Sequence, residues 1–375
     1  MTFGGVFSGK RVFVTGHTGF KGSWLSAWLI RLGATVCGYS KDVPTTPSLF
    51  EMASLSNEME HCFSDVRDFD ALGARLKAFR PDFVFHLAAQ PIVSLSYSDP
   101  IGTITSNVIG TANVLEALRG VDWPCTAVVI TSDKCYDNVE WVWGYRETDP
   151  MGGKDIYSGS KGAAELIFRS YWHSFFGRAE SPVRLATARA GNVIGGGDWA
   201  RDRIVADCIR AWGNRQRVQI RSPSATRPWQ HVLEPLSGYL ALAQNLFASR
   251  KYDGESFNFG PRSEQNRTVL EVLSDLGRIW GLASDDEAYE ITGNVPFHEA
   301  GLLKLNCDKA LLALRWESNL VYGECMRLTG EWYRKVLRES VGARDMTLDQ
   351  IDEYERLASE RHRVWTHAAP TVAAV

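Results

Sequence analysis

Three glycines between an apolar run and an amphipathic stretch constrain the fold of this chain more than any other feature. Gly16, Gly19 and Gly22 follow the run RVFVT and precede a segment with helical periodicity. Glycines at this spacing permit a tight turn, let the backbone approach a pyrophosphate and allow helix and strand to pack closely. The phosphates then meet the N-terminus of the helix. The turn therefore predicts a dinucleotide site, against the alternative of a glycine-rich turn in an unrelated α/β protein.

Short apolar runs alternate with amphipathic stretches through the first half of the chain. The runs that predict strands are 11–16, 35–40, 61–66, 83–89 and 125–133. The stretches that predict helices include 20–32, 68–79 and 99–119. This alternation predicts an α/β fold with a Rossmann-type, doubly wound parallel sheet. Ligands bind such sheets at the carboxyl ends of the strands, which is where the motifs below fall.

The pattern changes after about residue 190. Glycines, prolines and arginines crowd 195–230, and a helix at 234–249 and a short strand at 257–260 follow. We therefore expect a second, smaller lobe built from separated segments. The predicted division is a cofactor-binding domain over 9–191 with 232–260 returning to it, a substrate lobe over 192–231 and 261–340, and a C-terminal helix and frayed tail over 341–375.

Composition limits the function classes. The chain has 375 residues, and its formal net charge of −3 is too small to indicate a nucleic-acid or anionic-membrane partner. The N-terminus lacks the basic-then-apolar order of a secretory signal, and no apolar run approaches the length of a membrane span. Seven cysteines without a CxxC pair argue against structural zinc and disulfides, so we expect no metal and a reducing cytoplasm.

The residues expected to contact the ribose of the cofactor do not decide between NAD and NADP. An acid at the end of the second strand would hold the 2′-hydroxyl of NAD, but Ser40 and Lys41 stand there. Lys41 could meet a 2′-phosphate and so favours NADP, or it could be a solvated surface lysine. Asp65, at the end of the third predicted strand, could accept from the adenine amine.

Tyr157 and Lys161 form a YxxxK pair near a predicted helix start. The i, i+4 spacing places both side chains on one helix face. A lysine cation beside the phenol should stabilise phenolate and lower the pKa of the tyrosine, which could then take a proton from an alcohol. The alternative is an exposed tyrosine on a helix face.

Three polar residues follow the predicted strand 125–133. Ser132 is placed to hydrogen-bond a sugar oxygen shared with Tyr157. Asp133 and Lys134 add an acid and a base that an alcohol dehydrogenase or an epimerase does not need, but that an elimination does need. The alternative is a surface ion pair at the end of a strand.

These motifs together resemble the extended short-chain dehydrogenase/reductase family over roughly residues 9–316. The segments that carry the resemblance are GHTGFKG, HLAAQ, SNVIGT, TSDKCYDN, YSGSK, RAGNVIGGGDW, TRPWQHV, FNFG and LKLNCDKALLALRW. Within the family, TSDKCYDN, EWVWGYRETDPMGG and ATRPWQHVLEPLSGYL resemble the branch that dehydrates a CDP-linked hexose. The resemblance implies a nucleotide-sugar substrate and removal of water by a transient oxidation at C4.

The resemblance also implies catalytic roles. Ser132, Tyr157 and Lys161 correspond to the dehydrogenase core, and Asp133 to the acid that protonates the 6-hydroxyl. The related dTDP-linked branch has a glutamate as C5 base where this chain has Lys134, and a lysine must be neutral to accept a proton. The hydride taken from C4 returns to C6, so the cofactor must start oxidised. Cellular NAD is mostly oxidised, and this outweighs Lys41 in favour of NAD.

The binding residues follow from the same resemblance. The predicted cofactor residues are Gly16, Thr18, Gly19, Phe20, Lys21, Gly22, Asp65, Val66, Leu87, Ala88, Ala89, Tyr157 and Lys161. The predicted substrate residues are Asn192, Arg203, Arg227 and His298, with the arginines on the diphosphate. Family members pair through helices that fall here at about 99–119 and 156–176, so a homodimer is expected. A 4-epimerase, a dehydratase of another nucleotide sugar and a non-catalytic NAD-binding regulator are the alternatives.

Overall fold

A computed structural model describes residues 1–220, 222–262, 265–292 and 302–367. Its strands, in chain order, are β1 Arg11–Thr15, β2 Thr35–Ser40, β3 Glu60–Phe63, β4 Phe83–His86, β5 Cys125–Ile130, β6 Val183–Ala190, β7 Val193–Ile194, β8 Val218–Ile220, β9 Thr226–Pro228, β10 Gln230–His231, β11 Ser256–Phe259, β12 Asn266–Thr268 and β13 Tyr289–Ile291. Seven of them form one parallel sheet in the order β11-β6-β5-β4-β1-β2-β3. The predicted Rossmann-type sheet is confirmed.

Helices cover both faces of this sheet, and the other six strands pair in three two-stranded sheets. In chain order they are α1 Phe20–Arg31, α2 Leu49–Met52, α3 Phe69–Phe79, α4 Val93–Ser98, α5 Pro100–Ile104, α6 Gly110–Arg119, α7 Ile156–Tyr171, α8 Ile204–Gly213, α9 Leu233–Ala248, α10 Val269–Trp280, α11 Asp285–Ala288, α12 Asp308–Leu314, α13 Tyr322–Arg338 and α14 Ala343–Glu360. No helix of the described residues combines the length and the apolar character that a membrane crossing requires.

The central strands are buried because both faces of the sheet are covered. All six residues of β5 are buried, as expected for a strand between two helical layers. Along β1, Val12 and Val14 pack into one core, while Phe13 between them packs into the other. Successive side chains of a strand point to opposite faces, so one strand serves both cores.

The predicted helix over 99–119 has a break in its regularity. Asp99 caps a helix that starts at Pro100, with its carboxylate accepting from the amide of Gly102 at 2.9 Å. A π-helical turn at Thr105–Ile109 then separates α5 from α6. The backbone is therefore helical from 100 to 119, as predicted, but it is not one regular α-helix.

The largest core extends from the sheet to the C-terminal helix. It contains Trp24 of α1, Val272 of α10 and Met346 of α14. Trp365 stacks on Phe3 with ring centroids 4.9 Å apart, and this contact joins the first and last described segments. The tail that was expected to fray extends into 368–375, outside the described residues. The division into a cofactor domain and a substrate lobe stays a prediction.

Candidate active site

The glycine turn is as tight as its sequence predicts. Gly16 has φ +76°, and a Cβ there would lie 2.7 Å from the amide nitrogen of Ala88. A Cβ on Gly22 would lie 2.0 Å from the carbonyl oxygen of Gly16. Gly19 precedes α1 as its N-cap. The turn thus lies at the carboxyl ends of β1 and β4 with the start of α1 beside it, a cradle that fits the pyrophosphate of a dinucleotide.

Replacing Gly22 by alanine should abolish this cradle. The added methyl group meets backbone, which cannot move aside as a flexible side chain could, so the turn must open. We expect the affinity for NAD, measured by calorimetry, to fall by more than about tenfold, which corresponds to about 1.4 kcal/mol. Gly73→Ala is the matched control, because a Cβ at that helical glycine meets nothing within 4 Å. Equal NAD affinity in the two variants would contradict the proposed cradle.

The other predicted cofactor residues lie along the same edge of the sheet. Thr18 is buried and donates its hydroxyl to the carbonyl of Asp42 at 2.7 Å. The amides of Leu87 and Ala88 donate to Thr15, at 3.1 Å to its carbonyl and 3.2 Å to its hydroxyl. Ala89 follows them and is half-buried. Two further predicted cofactor residues lie nearby: Phe20 lies against Gly195, and Val66 lies against Gly110.

The polar groups near the predicted ribose end are engaged with one another. Ser40 lies 2.9 Å from Nδ1 of His17, whose pKa burial lowers to about 4. Asp65 accepts from the guanidinium of Arg67 at 2.6 and 3.0 Å. Lys41 is exposed and near enough to lower the pKa of Asp65, after the stronger effect of Arg67. An adenine amine would therefore share Asp65 with Arg67.

The segment that follows β5 carries the predicted acid. Ser132 caps a short turn over Asp133–Cys135, and its hydroxyl accepts from the amide of Lys134 at 3.2 Å. The same hydroxyl donates to Oδ1 of Asp133 at 2.8 Å. Asp133 is only 5 % exposed, and this burial raises the pKa of its carboxyl. The alternative of a surface ion pair between Asp133 and Lys134 is therefore wrong for Asp133, which is buried. Lys134 beside it is half-buried.

Tyr157 and Lys161 project from the first turns of α7, which Asp155 caps by accepting from the amide of Ser158 at 2.9 Å. The Lys161 ammonium lies 5.9 Å from the centroid of the Tyr157 ring. Burial raises the pKa of Tyr157 to about 12, and the neighbouring Ser132 side chain acts in the opposite direction without cancelling that effect. Burial also lowers the pKa of Lys161 to about 8. The expectation that the pKa of Tyr157 is lowered is therefore wrong for the chain alone, because loss of hydration outweighs the favourable contacts of the phenolate.

Lys21 approaches this catalytic group from the glycine turn. Burial lowers its pKa to about 7, and the cations of Arg203 and Lys161 act in the same direction. Asp133 and Asp198 oppose that shift, so both carboxylates lie within electrostatic range of the amine. The predicted cofactor turn and the predicted acid are thereby brought into one cluster.

The predicted substrate residues are only partly brought to this cluster. Arg203 joins it, with Nε 3.5 Å from the carboxylate of Asp198. Arg227 lies on β9 opposite Arg267 of β12, and Nη1 of Arg227 donates to the carbonyl of Thr226 at 2.8 Å. Asn192 is half-buried and directly follows Gly191. A Cβ added to Gly191 would lie 3.2 Å from the carboxylate of Asp133, so this segment passes close to the acid. His298 lies outside the described residues.

Comparison with known proteins identifies the family. The family model described as GDP-mannose 4,6 dehydratase matches residues 13–259. A CDP-glucose 4,6-dehydratase of Salmonella typhimurium is 50 % identical over 335 residues, which cover 88 % of this chain and 92 % of that protein. The chain belongs to the GDP-mannose 4,6-dehydratase family. A CDP-paratose 2-epimerase of Salmonella typhi is more distant, at 27 % identity over 71 % of this chain and 83 % of that protein.

Solved structures at lower identity share the fold of this dehydratase family member. An epimerase of Methanothermobacter thermautotrophicus superimposes with a TM-score of 0.76 at 23 % identity, covering 90 % of this chain and 97 % of its own. A dTDP-glucose 4,6-dehydratase of Bacillus anthracis, solved in complex with NAD, gives 0.72 at 19 % identity over 88 % and 98 %. At these identities the likeness shows the fold alone.

Sequence reasoning missed part of the pocket around the acid of this family member. Asp133 shares a small cavity with side chains of later segments. The other lining residues are Gly191, Pro228, Gly260, Pro261, Leu303, Lys304 and Leu305. Lys304 stands in LKLNC, a motif that carried the family resemblance and could have drawn attention to it. Asp198, in GGGDW, is the missed partner of Arg203.

Proposed function

We propose that this chain converts CDP-glucose to CDP-4-dehydro-6-deoxyglucose by removing water. The observation that carries the proposal is a buried acid, Asp133, bonded to Ser132 beside the Tyr157–Lys161 pair. A dehydrogenase alone has no use for that acid, whereas an elimination requires one. The 50 % identity to a CDP-glucose 4,6-dehydratase supports the choice of substrate.

NAD is the proposed cofactor, and the glycine cradle is suited to its pyrophosphate. Two structural neighbours, the dTDP-glucose 4,6-dehydratases of Bacillus anthracis and Streptomyces venezuelae, were solved with NAD. When held in the cradle of Gly16, Gly19 and Gly22, NAD would supply a positive charge beside the sugar and the hydride acceptor and donor that oxidation at C4 and reduction at C6 require. The cofactor residues predicted from the sequence, which are those between the glycine turn and Ala89 together with Tyr157 and Lys161, remain our proposal for its site.

In the proposed reaction, residues of this chain transfer the protons of the 4-hydroxyl, of C5 and of the departing 6-hydroxyl. Tyr157 takes the proton of the 4-hydroxyl once it is ionised, and the positive charges of Lys161 and of bound NAD would favour that phenolate against the effect of burial. The ketone formed at C4 acidifies the C5 proton, for which Lys134 is our candidate base. Asp133, whose pKa burial raises, gives its proton to the departing 6-hydroxyl. No net oxidation results, and the product is a 4-keto-6-deoxy sugar.

The charge of the cluster favours a diphosphate substrate. The basic side chains Lys21, Lys134, Lys161 and Arg203 face the carboxylates Asp133 and Asp198. This excess of positive charge suits the two negative charges of a nucleotide diphosphate sugar. Arg203 and Arg227 are our candidates for the diphosphate, and Asn192 and His298 for the sugar and nucleotide ends.

We further propose that the enzyme is a homodimer formed through the helical face of residues 100–119 and α7. Large apolar side chains are exposed there. They are Ile101 at 67 %, Ile109 at 46 %, Ile156 at 41 % and Leu166 at 53 %. Exposed apolar side chains gathered on neighbouring helices are typical of an association surface. The contacts of α7 with α5 and with α6 place these elements side by side.

Leu166→Asp should dissociate that dimer. A carboxylate in an apolar interface loses hydration without gaining a partner, which is costly. We expect a monomer in sedimentation velocity at concentrations where the native chain is a dimer. Leu312→Asp is the control, because Leu312 is 86 % exposed on α12, away from this face. A dimer that survives Leu166→Asp would argue against this interface.

We also propose that the protein resides in the cytoplasm, a reducing compartment. All seven cysteines are free thiols, and five of them are buried. Burial raises the pKa of Cys125 above its ordinary range, and it raises the pKa of Cys307 to about 12, so these thiols resist ionisation and oxidation.

The substrate is tested by offering CDP-, dTDP-, UDP- and GDP-hexoses to the enzyme and following mass. We expect loss of one water from CDP-glucose, and deuterium placed at C4 should appear at C6 of the product. An epimerase would leave the mass unchanged. A regulator would bind NAD and leave every sugar intact. Deuterium that never reaches C6 would exclude the proposed reaction.

A further inference from the structure

A second cavity lies outside the candidate active site. Its volume is about 570 Å³, which is within the range of small-molecule sites. It is lined by β12 and the residues before it, by the start of α13 and by the segment after α14. None of its described lining residues also lines the cavity around Asp133. We call it the arginine cavity, because Arg262, Arg267, Arg361 and Arg363 line it.

The surface of the arginine cavity is positively charged. Among the described residues, no aspartate or glutamate lines it. The carboxylates that pair with three of its arginines lie outside the lining, and one of them is shared. Glu317 pairs with Arg262, at 2.6 Å, and with Arg363. Glu324 accepts from Arg361 at 2.6 and 3.0 Å. Two carboxylates therefore compensate three guanidinium groups.

Arg267 is the arginine of this cavity with the fewest hydrogen bonds to the described residues. Its Nη1 donates to the carbonyl of Asn266 at 3.1 Å, and its guanidinium lies 5.1 Å from the centroid of the Tyr322 ring. Its Nε lies 3.8 Å from the carboxylate of Glu271, which is too long for a hydrogen bond. A guanidinium has five N–H donors, so Arg267 can donate to a ligand without giving up a carboxylate partner.

The N-terminus of α13 opens into the same cavity. Val321, Tyr322 and Gly323 line the cavity at the start of this 17-residue helix. The first amides of a helix have no acceptor within the helix and carry partial positive charge. A Cβ on Gly323 would meet nothing within 4 Å, so this turn faces open space. Backbone amides and guanidinium groups thus converge, as they do in phosphate-binding sites.

We propose that the arginine cavity binds a ligand that carries a diphosphate group, at a site separate from the proposed active site. A single phosphate would fill little of about 570 Å³ and could meet few of the four guanidinium groups. Two linked phosphates can accept from several planar guanidinium forks at once. A free diphosphate and the diphosphate of a nucleotide share this chemistry. The inference does not depend on the proposed dehydration, because no residue of this cavity is assigned to that reaction.

The test is calorimetric titration of the NAD-saturated protein with inorganic pyrophosphate at an ionic strength of about 0.15 M, which screens non-specific attraction. The cavity variant is Arg262→Gln with Arg267→Gln. The control is Arg278→Gln with Arg356→Gln, which removes the same charge from exposed arginines outside the cavity. We expect the pyrophosphate affinity to fall at least about tenfold in the cavity variant, because charge-assisted hydrogen bonds are lost, and to stay at the native value in the control.

Two further ligands define the chemistry that the cavity selects. Inorganic phosphate should bind the native protein at least about tenfold more weakly than pyrophosphate, because it offers fewer acceptors and less charge. Equal affinity for the two ions would contradict a diphosphate site. ADP tests the source of the group: tighter binding than pyrophosphate would support a nucleotide ligand, and equal binding would support a free diphosphate.

Two more variants keep the proposal falsifiable. Gly323→Asp places a carboxylate at the start of α13, which suits the helix and breaks no ion pair, so it should fold and still lower the pyrophosphate affinity at least about tenfold. It decides the question if the cavity variant does not fold. Arg203→Gln alters the proposed active site and should keep the pyrophosphate site that the cavity variant loses. Loss of all pyrophosphate binding in Arg203→Gln, or native binding in both Gly323→Asp and the cavity variant, would overturn the proposal.

Discussion

Asp133→Asn should slow the loss of water by on the order of 100-fold or more while it leaves oxidation at C4 in place. General acid catalysis by a positioned side chain contributes about 10²–10⁴-fold, and the amide has no proton of comparable acidity to give to the 6-hydroxyl. The asparagine side chain keeps the volume of the aspartate and an oxygen that can accept from Ser132, as Asp133 does at 2.8 Å. The substitution therefore removes the acid with little change in shape.

Two readouts separate the steps in this variant. Absorbance of reduced nicotinamide after rapid mixing reports oxidation at C4, and mass spectrometry of the quenched mixture reports loss of water. We expect the absorbance to rise and persist in Asp133→Asn. Tyr157→Phe is the contrasting variant, because it removes the group that takes the first proton, and it should suppress the absorbance itself. A folded Asp133→Asn enzyme that shows neither signal would remove Asp133 from its proposed role.

The sequence was sufficient for the parts of the fold that follow local rules. The strands β1, β2, β4 and β5, the glycine turn and α1 were predicted because apolar runs and glycine spacing determine them locally. Strand β6 was missed. Its sequence VRLATARA includes Thr187 and Arg189, which are buried yet polar, and their partner Glu165 lies on another element. A buried polar residue looks like an exposed one until its distant partner is known.

In the candidate active site, too, only the features that depend on local sequence could be predicted. The i, i+4 spacing predicted that Tyr157 and Lys161 share a helix face, and the structure places them together. The pKa of Tyr157 could not be predicted, because it depends on how completely α7 and the turn after β5 bury the phenol. Lys304 and Asp198 reach the cluster around Asp133 and Arg203 from segments far along the chain. Contacts of that kind require the tertiary fold.

Glu165→Gln should strongly destabilise the fold. The carboxylate of Glu165 accepts from Nε and Nη2 of Arg189 at 2.9 and 2.8 Å, and each side chain is 1 % exposed. Burial alone would raise the pKa of Glu165, but Arg189, with hydrogen bonds from Thr131 and Thr187, outweighs it and holds that pKa below its ordinary range. Removing one charge leaves the other buried and unpaired, which costs about 3–5 kcal/mol. We expect that loss in the free energy of unfolding from denaturant titration.

The matched control for Glu165→Gln removes both charges. The double variant Glu165→Gln, Arg189→Met leaves no unpaired charge, so it should recover most of the stability, since apolar replacement of a buried pair is often neutral. Arg189 also donates to the hydroxyl of Tyr136 at 2.7 Å, directly after the turn that carries Asp133. The double variant should therefore be stable but slower in dehydration, because that turn loses a support. A double variant no more stable than Glu165→Gln would show that the pair contributes through its packing and hydrogen bonds, and not through compensation of charge.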